Sequence, residues 1–116
     1  IARYVLADNE DLNHVALMRE FWVLASRDEQ VAASLSAFYA NCREFAAQVL
    51  IEANDSLDEA EAERRSRTAV SLLSGSFLYL DTTFGGEPEG DYREHLLRTI
   101  RLLPFIETGR QQAAGA

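Results

Sequence analysis

From Leu12 to Ala25 the apolar positions Leu12, Val15, Met18, Trp22 and Ala25 fall on one helical stripe, and Leu17, Phe21 and Leu24 form a second beside it. Two stripes predict a central helix, covered on more than one side. Asp8 or Asn9 can cap its start, Asp11 adds negative charge where the helix dipole favours it, and the short stretch Ile1 to Ala7 before it is expected to be helical too. Ser26-Arg27-Asp28-Glu29 breaks the pattern, with Asp28 placed to cap the next helix. There Val31, Leu35, Phe38, Cys42, Phe45 and Val49 recur at alternating steps of four and three, while Arg43, Glu44, Gln48 and Glu52 take the wet side. This period predicts an amphipathic helix with its stripe turned to the core.

Asn54-Asp55-Ser56 ends that helix, and Ser56 with Glu59 has the capping-box spacing that opens a third. Glu61 with Arg65 and Glu63 with Arg67 stand four apart in the favourable order, each pair contributing about 0.2–0.5 kcal/mol on a solvated face. Further along, Ala69, Leu72, Leu73, Ser76, Phe77, Leu80 and Phe84 cover a broad apolar arc expected to carry the core. Ser71, Ser74, Gly75, Leu78 and Thr82 lie nearly opposite, a small and uncharged strip that would let another helix approach closely. Gly85-Gly86 is expected to stop the helix, Asp91 with Glu94 repeats the capping-box spacing, and a final helix runs to Leu103 before Pro104.

Neither sustained alternation nor a hairpin turn appears, so the fold expected is all-α, an antiparallel bundle of four to five helices. Residues 1–105 make one domain and residues 106–116 a tail without apolar period or caps. The last two helices are too apolar for a monomer's surface, and a second copy is the simplest cover: a homodimer whose interface is a four-helix bundle.

Composition narrows the classes of function. The formal charge of −8 disfavours nucleic acid as a direct partner, although all 11 basic residues are arginine, a bias that points to a GC-rich genome. No stretch reaches the roughly 20 apolar residues of a membrane span, and no basic-then-apolar leader opens the chain. The lone Cys42 excludes an internal disulfide and suits a reducing compartment, taken as the cytoplasm. A start at Ile1 instead of methionine suggests a piece of a longer protein.

Met18-Arg19-Glu20-Phe21-Trp22, leading through Ala25-Ser26-Arg27-Asp28 into a long helix, then Ser74-Gly75 in mid-helix and a closing Leu102-Leu103-Pro104, resembles the C-terminal domain of TetR-family transcriptional repressors over nearly the whole chain. The resemblance implies a bacterial regulator whose N-terminal helix-turn-helix head binds operator DNA. That head has no counterpart in this chain. The C-terminal domain would dimerise through its last two helices, here the Ser71 strip with Leu96, Thr99, Ile100 and Leu103, and would enclose a pocket for an inducer. Mapped onto this sequence, Met18, Trp22, Phe38, Cys42, Phe45, Leu72, Ser76 and Tyr79 would converge on that pocket, whose apolar character suits a hydrophobic small molecule. The alternative is a freestanding helical module that pairs with itself or another protein and binds no ligand.

Other chemistry has little support. Trp22, Phe38 and Phe45 can equally be plain core, and Cys42, on an apolar stripe, behaves as a small hydrophobe. His14 follows Glu10 by four and His95 follows Asp91 by four, two potential ligands each where a zinc enzyme needs three, so no metal is expected. Arg64-Arg65-Arg67 follows Glu59, Glu61 and Glu63 and reads as an ion-paired, solvated face. With no nucleophile motif, phosphate loop or CxxC pair, neither a cofactor nor an enzyme is expected.

Overall fold

The computed structural model describes residues 2, 3, 5, 12–77 and 90–107. Four helices are resolved among them, α1 Leu12–Ala25, α2 Glu29–Ala53, α3 Glu59–Gly75 and α4 Gly90–Leu102, followed by a 3-10 turn, Leu103–Phe105, and there is no strand among the described residues. Ala2, Arg3 and Val5 are helical, as expected of the leading stretch. The Asp8, Asn9 and Asp11 cap, Leu78, Tyr79, Leu80, Thr82, Phe84, the Gly85-Gly86 stop and the tail from 108 onward lie outside the described residues.

Local chemistry fixes the junctions. Asp28 caps α2 as expected, its Oδ1 accepting from the amides of Gln30 at 2.9 Å and Val31 at 3.2 Å. The other end of α2 closes on Asn54, which works in three directions. Its amide bonds Leu50 O at 2.9 Å, its Oδ1 accepts from the Ser56 hydroxyl at 2.6 Å, and its Nδ2 donates to Pro104 O at 2.7 Å, tying α2 to the 3-10 turn. Because Asn54 takes the Ser56 hydroxyl, Ser56 does not cap α3. The cap is Asp58, whose Oδ1 accepts from the Glu61 amide at 2.7 Å. Between them Leu57 is drawn into the core beside Leu50, Ala69 and Leu103, and the helix begins only after that residue is buried.

The charged first turns of α3 do more than solvate it. Glu61 takes Arg64 at 2.6 Å on one oxygen and Arg65 at 3.0 Å on the other, while Glu63 takes Arg67 at 2.7 Å on the surface. Arg65 is only 6% exposed, and its Nη1 donates to Leu103 O at 2.8 Å, so the expected solvated face holds one buried guanidinium that staples α3 to the 3-10 turn. Hydrogen bonds from Arg64 and then Arg65 hold the Glu61 carboxyl below the usual carboxylate range. A depressed carboxyl stabilises the fold fully above its unfolded pKa, and that contribution is lost as pH falls through its folded pKa. Glu61→Gln is therefore less stable than the parent at neutral pH, and the gap closes on acidification through the ordinary carboxylate range, as urea titrations at several pH values will record.

Two apolar clusters hold the elements together: Leu96 and Leu97 with Ala2, Leu72, Leu73 and Ile100 around them, and Leu50, Leu57, Ala69 and Leu103 with Leu72 alongside. The apolar arc of α3 carries the core as expected from Ala69 to Leu73. α3 does not run unbroken, however. Its α-helical bonding stops at Gly75, where the Ser76 amide reaches back to Leu73 O at 3.4 Å and the Ser76 hydroxyl bonds the same oxygen at 2.7 Å, tightening the turn.

The largest departures from the periodic pattern are on α1 and α2. Val15 of the first α1 stripe is buried, but the second stripe, Leu17, Phe21 and Leu24, is exposed, so α1 packs along α2 and is not central. On α2 the regular stripe does not close onto a core: Phe38 and Phe45 are each 52% exposed, and Leu50, off that stripe, is the buried residue. A helix period identifies which residues share a face; it does not say whether the space opposite is filled.

Candidate functional site

The space opposite that stripe is a cavity of about 550 Å³ bounded by α1, α2, α3 and the end of α4. Helix α1 contributes Met18 and Trp22. Helix α2 contributes Phe38, Cys42, Phe45 and Val49; α3 contributes Val70, Leu73 and Ser74; Phe77, Ile100 and Leu103 complete the apolar wall. Its volume falls within the range of about 300–1,000 Å³ common for ligand pockets, and its lining is mostly apolar and aromatic, with a few polar points at His14, Tyr39, Ser74 and Arg101. The half-exposed Phe38, Phe45 and Val49 also line it, so the cavity is open to solvent along α2.

An aromatic group anchors one end. Trp22 Nε1 donates to the Tyr39 hydroxyl at 3.1 Å, the Trp22 ring lies 5.5 Å from Phe77 at a 41° tilt, and Phe38 meets Tyr39 edge-on at 5.3 Å. The indole is thus oriented by a hydrogen bond with its ring on the cavity. Burial pushes the Cys42 thiol up, with Arg43 pulling the other way, so the sulfur enters the wall as a neutral, weakly polar group.

Of the residues assigned to a ligand pocket from sequence, Met18, Trp22, Phe38, Cys42 and Phe45 come together on this cavity. Leu72 and Ser76 do not line it. Leu72 packs between the two core clusters, and Ser76 is buried with its hydroxyl on Leu73 O. Tyr79 lies outside the described residues. Tyr39, Ala46 and Ala53 line the cavity without having been singled out, although their spacing of seven marks a second apolar stripe on α2, one residue out of phase with the first.

A second recess of about 430 Å³ adjoins the first, sharing Tyr39, Val70 and Ser74 with it. Arg43, Arg67 and Ser71 complete its walls, so it is far more polar. The strip assigned to a dimer seam is divided by the structure. Ser71 is exposed and Ser74 and Gly75 are half-buried, and a Cβ placed on Gly75 would meet nothing within 4 Å among the described residues beyond its own helix. Leu96 and Leu103, by contrast, are buried inside the chain, Ile100 lines the cavity, and Thr99 bonds the His95 carbonyl through its hydroxyl at 2.9 Å. Leu96 and Leu103 thus have almost no surface to offer a partner, while Thr99 and Ile100 are half-buried.

His14 sits at the cavity's edge and His95 lies exposed beside the Tyr92 ring. Among the described residues no three His, Cys, Asp or Glu side chains gather as a metal site, and no helix is long and apolar enough to cross a membrane.

A family model described as "BetI-type transcriptional repressor, C-terminal" matches residues 1–104. No curated protein and no solved structure gives a significant match.

Proposed function

Starting from a chain that belongs to the TetR family of transcriptional regulators, as its C-terminal domain, we propose that it senses a hydrophobic small molecule and joins two copies of a bacterial, cytoplasmic repressor. The observation that carries this reading is the cavity of about 550 Å³ lined by Met18, Trp22, Phe38 and Phe45. An apolar wall left open to water in a small domain costs stability unless something occupies it, and an occupant gains most of its affinity by displacing that water. Operator DNA would be held by a helix-turn-helix head outside these residues, consistent with the formal charge of −8 on this one. The effector then acts by population shift. It favours the spacing of the two heads to which it binds more tightly, and it can move the equilibrium only by that difference in affinity. No catalytic step belongs to this reading.

The seam proposed for the dimer is the small strip around Ser71, Ser74 and Gly75. Among the described residues nothing beyond its own helix lies within 4 Å of a Cβ at Gly75, so a side chain can leave the backbone there without a clash at its first atom. Gly75→Arg is expected to give folded monomers with helical content unchanged where the parent sediments as a dimer; a variant that still dimerises moves the interface elsewhere. The sensing half is tested by thermal unfolding with apolar compounds, where a ligand at a hundredfold excess over its Kd adds about 2.7 kcal/mol.

A further inference from the structure

The basic side chains on the two adjoining recesses are His14 and Arg101 on the apolar cavity and Arg43 and Arg67 on the polar one, beside the weakly acidic Tyr39 and Cys42. Among the described residues no carboxylate lines either, in a chain whose 19 acidic residues outnumber 11 arginines. Arg67 is engaged with Glu63 at 2.7 Å, but Arg43 is half-buried and no carboxylate among the described residues pairs with it. Tyr39 lines both recesses. Its hydroxyl accepts from Trp22 Nε1 at 3.1 Å, which leaves its own proton to donate.

From this arrangement we infer that the effector is an amphipathic carboxylate, its apolar body in the large cavity and its acid group in the recess between Arg43 and the Tyr39 hydroxyl. The inference rests on the ligand-sensing reading above and gives it a chemical class. A carboxylate there exchanges water for a charge-assisted pair with the guanidinium of the half-buried Arg43. The negative field of the whole chain opposes entry only weakly, since exposed charges beyond a Debye length of about 8 Å at physiological salt are screened and the arginines are nearest. The aromatic wall could also attract a cation by its ring faces, but among the described residues no carboxylate lines either recess to add to such a site.

Equilibrium binding of decanoate, decanol and decyltrimethylammonium to the intact chain separates the possibilities, because the three share one apolar body. Decanoate is expected to bind at least about tenfold tighter than decanol, and Arg43→Gln to abolish that preference while leaving decanol binding unchanged. Equal affinity for decanoate and decanol overturns the carboxylate inference and leaves the apolar sensing site standing. Preference for the quaternary ammonium overturns it in favour of a cation site. Binding of none of the three overturns it as well, and the sensing reading then stands or falls with a wider panel of aliphatic and aromatic amphiphiles. The comparison among ligands is made on the unmutated chain, so it decides the matter even if Arg43→Gln fails to fold.

Discussion

Replacing Leu97 by alanine is expected to cost about 2–5 kcal/mol and to lower the melting temperature by roughly 10–20 °C at fixed protein concentration. Leu97 is 2% exposed and, with Leu96, forms the centre on which Ala2, Leu72, Leu73 and Ile100 converge. Those contacts dock α4 against α3 and the leading helical residues, so truncation removes buried area and leaves a cavity at a three-way junction with little means of collapsing. Two comparisons sharpen the prediction. Leu102→Ala, at a residue 59% exposed on the same helix, should stay within about 0.5 kcal/mol of the parent. Phe38→Ala should cost clearly less than Leu97→Ala, although a phenylalanine on the core face of an amphipathic helix ordinarily costs about 3–5 kcal/mol when truncated. If the two losses are equal in chemical denaturation, the α2 stripe is packed in solution and the open cavity is closed.

The second large effect is on binding. Ala46 lines the cavity from α2 between Phe45 and Val49, and an indole there occupies the space assigned to the effector. Ala46→Trp is expected to lose at least about tenfold in affinity for any apolar ligand of the parent while keeping its stability within about 1 kcal/mol. The reason is volume. Inserting a large side chain into a close-packed core costs typically about 1–3 kcal/mol through strain, whereas insertion into an empty apolar space fills it with contacts. Thermal unfolding with and without ligand measures both terms. A destabilised Ala46→Trp that still binds would place the ligand elsewhere.

Where local chemistry decides, the sequence was a good guide. Asp28 caps α2 because a carboxylate before a periodic apolar run has two free amides to meet, and nothing distant competes. The Ser56 cap failed for a nonlocal reason: Asn54 reaches Pro104 fifty positions away, holds Ser56 as it does so, and passes the cap to Asp58. Arg65 shows the same limit. Its pairing with Glu61 was legible from a spacing of four, but its burial depends on the Leu103 carbonyl, which only the folded chain brings near. For the site, the family resemblance pointed to residues of one α2 stripe and two from α1 as pocket lining, and helix period adds only that each group shares a face. Whether that face meets core or an open cavity depends on how far α1 stands off, and the exposed Leu17 and Phe21 show that α1 is not drawn inward as two stripes would suggest. Tyr39 sits on the weaker of two stripes on α2, and its role is visible only in the fold, where its hydroxyl accepts from Trp22 Nε1.

The central claim, that this cavity takes a small molecule, is tested most directly by the emission of Trp22, the chain's only tryptophan, which lines it. The chain is titrated with a panel of aliphatic and aromatic amphiphiles. At least one member should shift that emission saturably with a stoichiometry of one per chain. An emission unmoved by every member up to its solubility limit would contradict the claim.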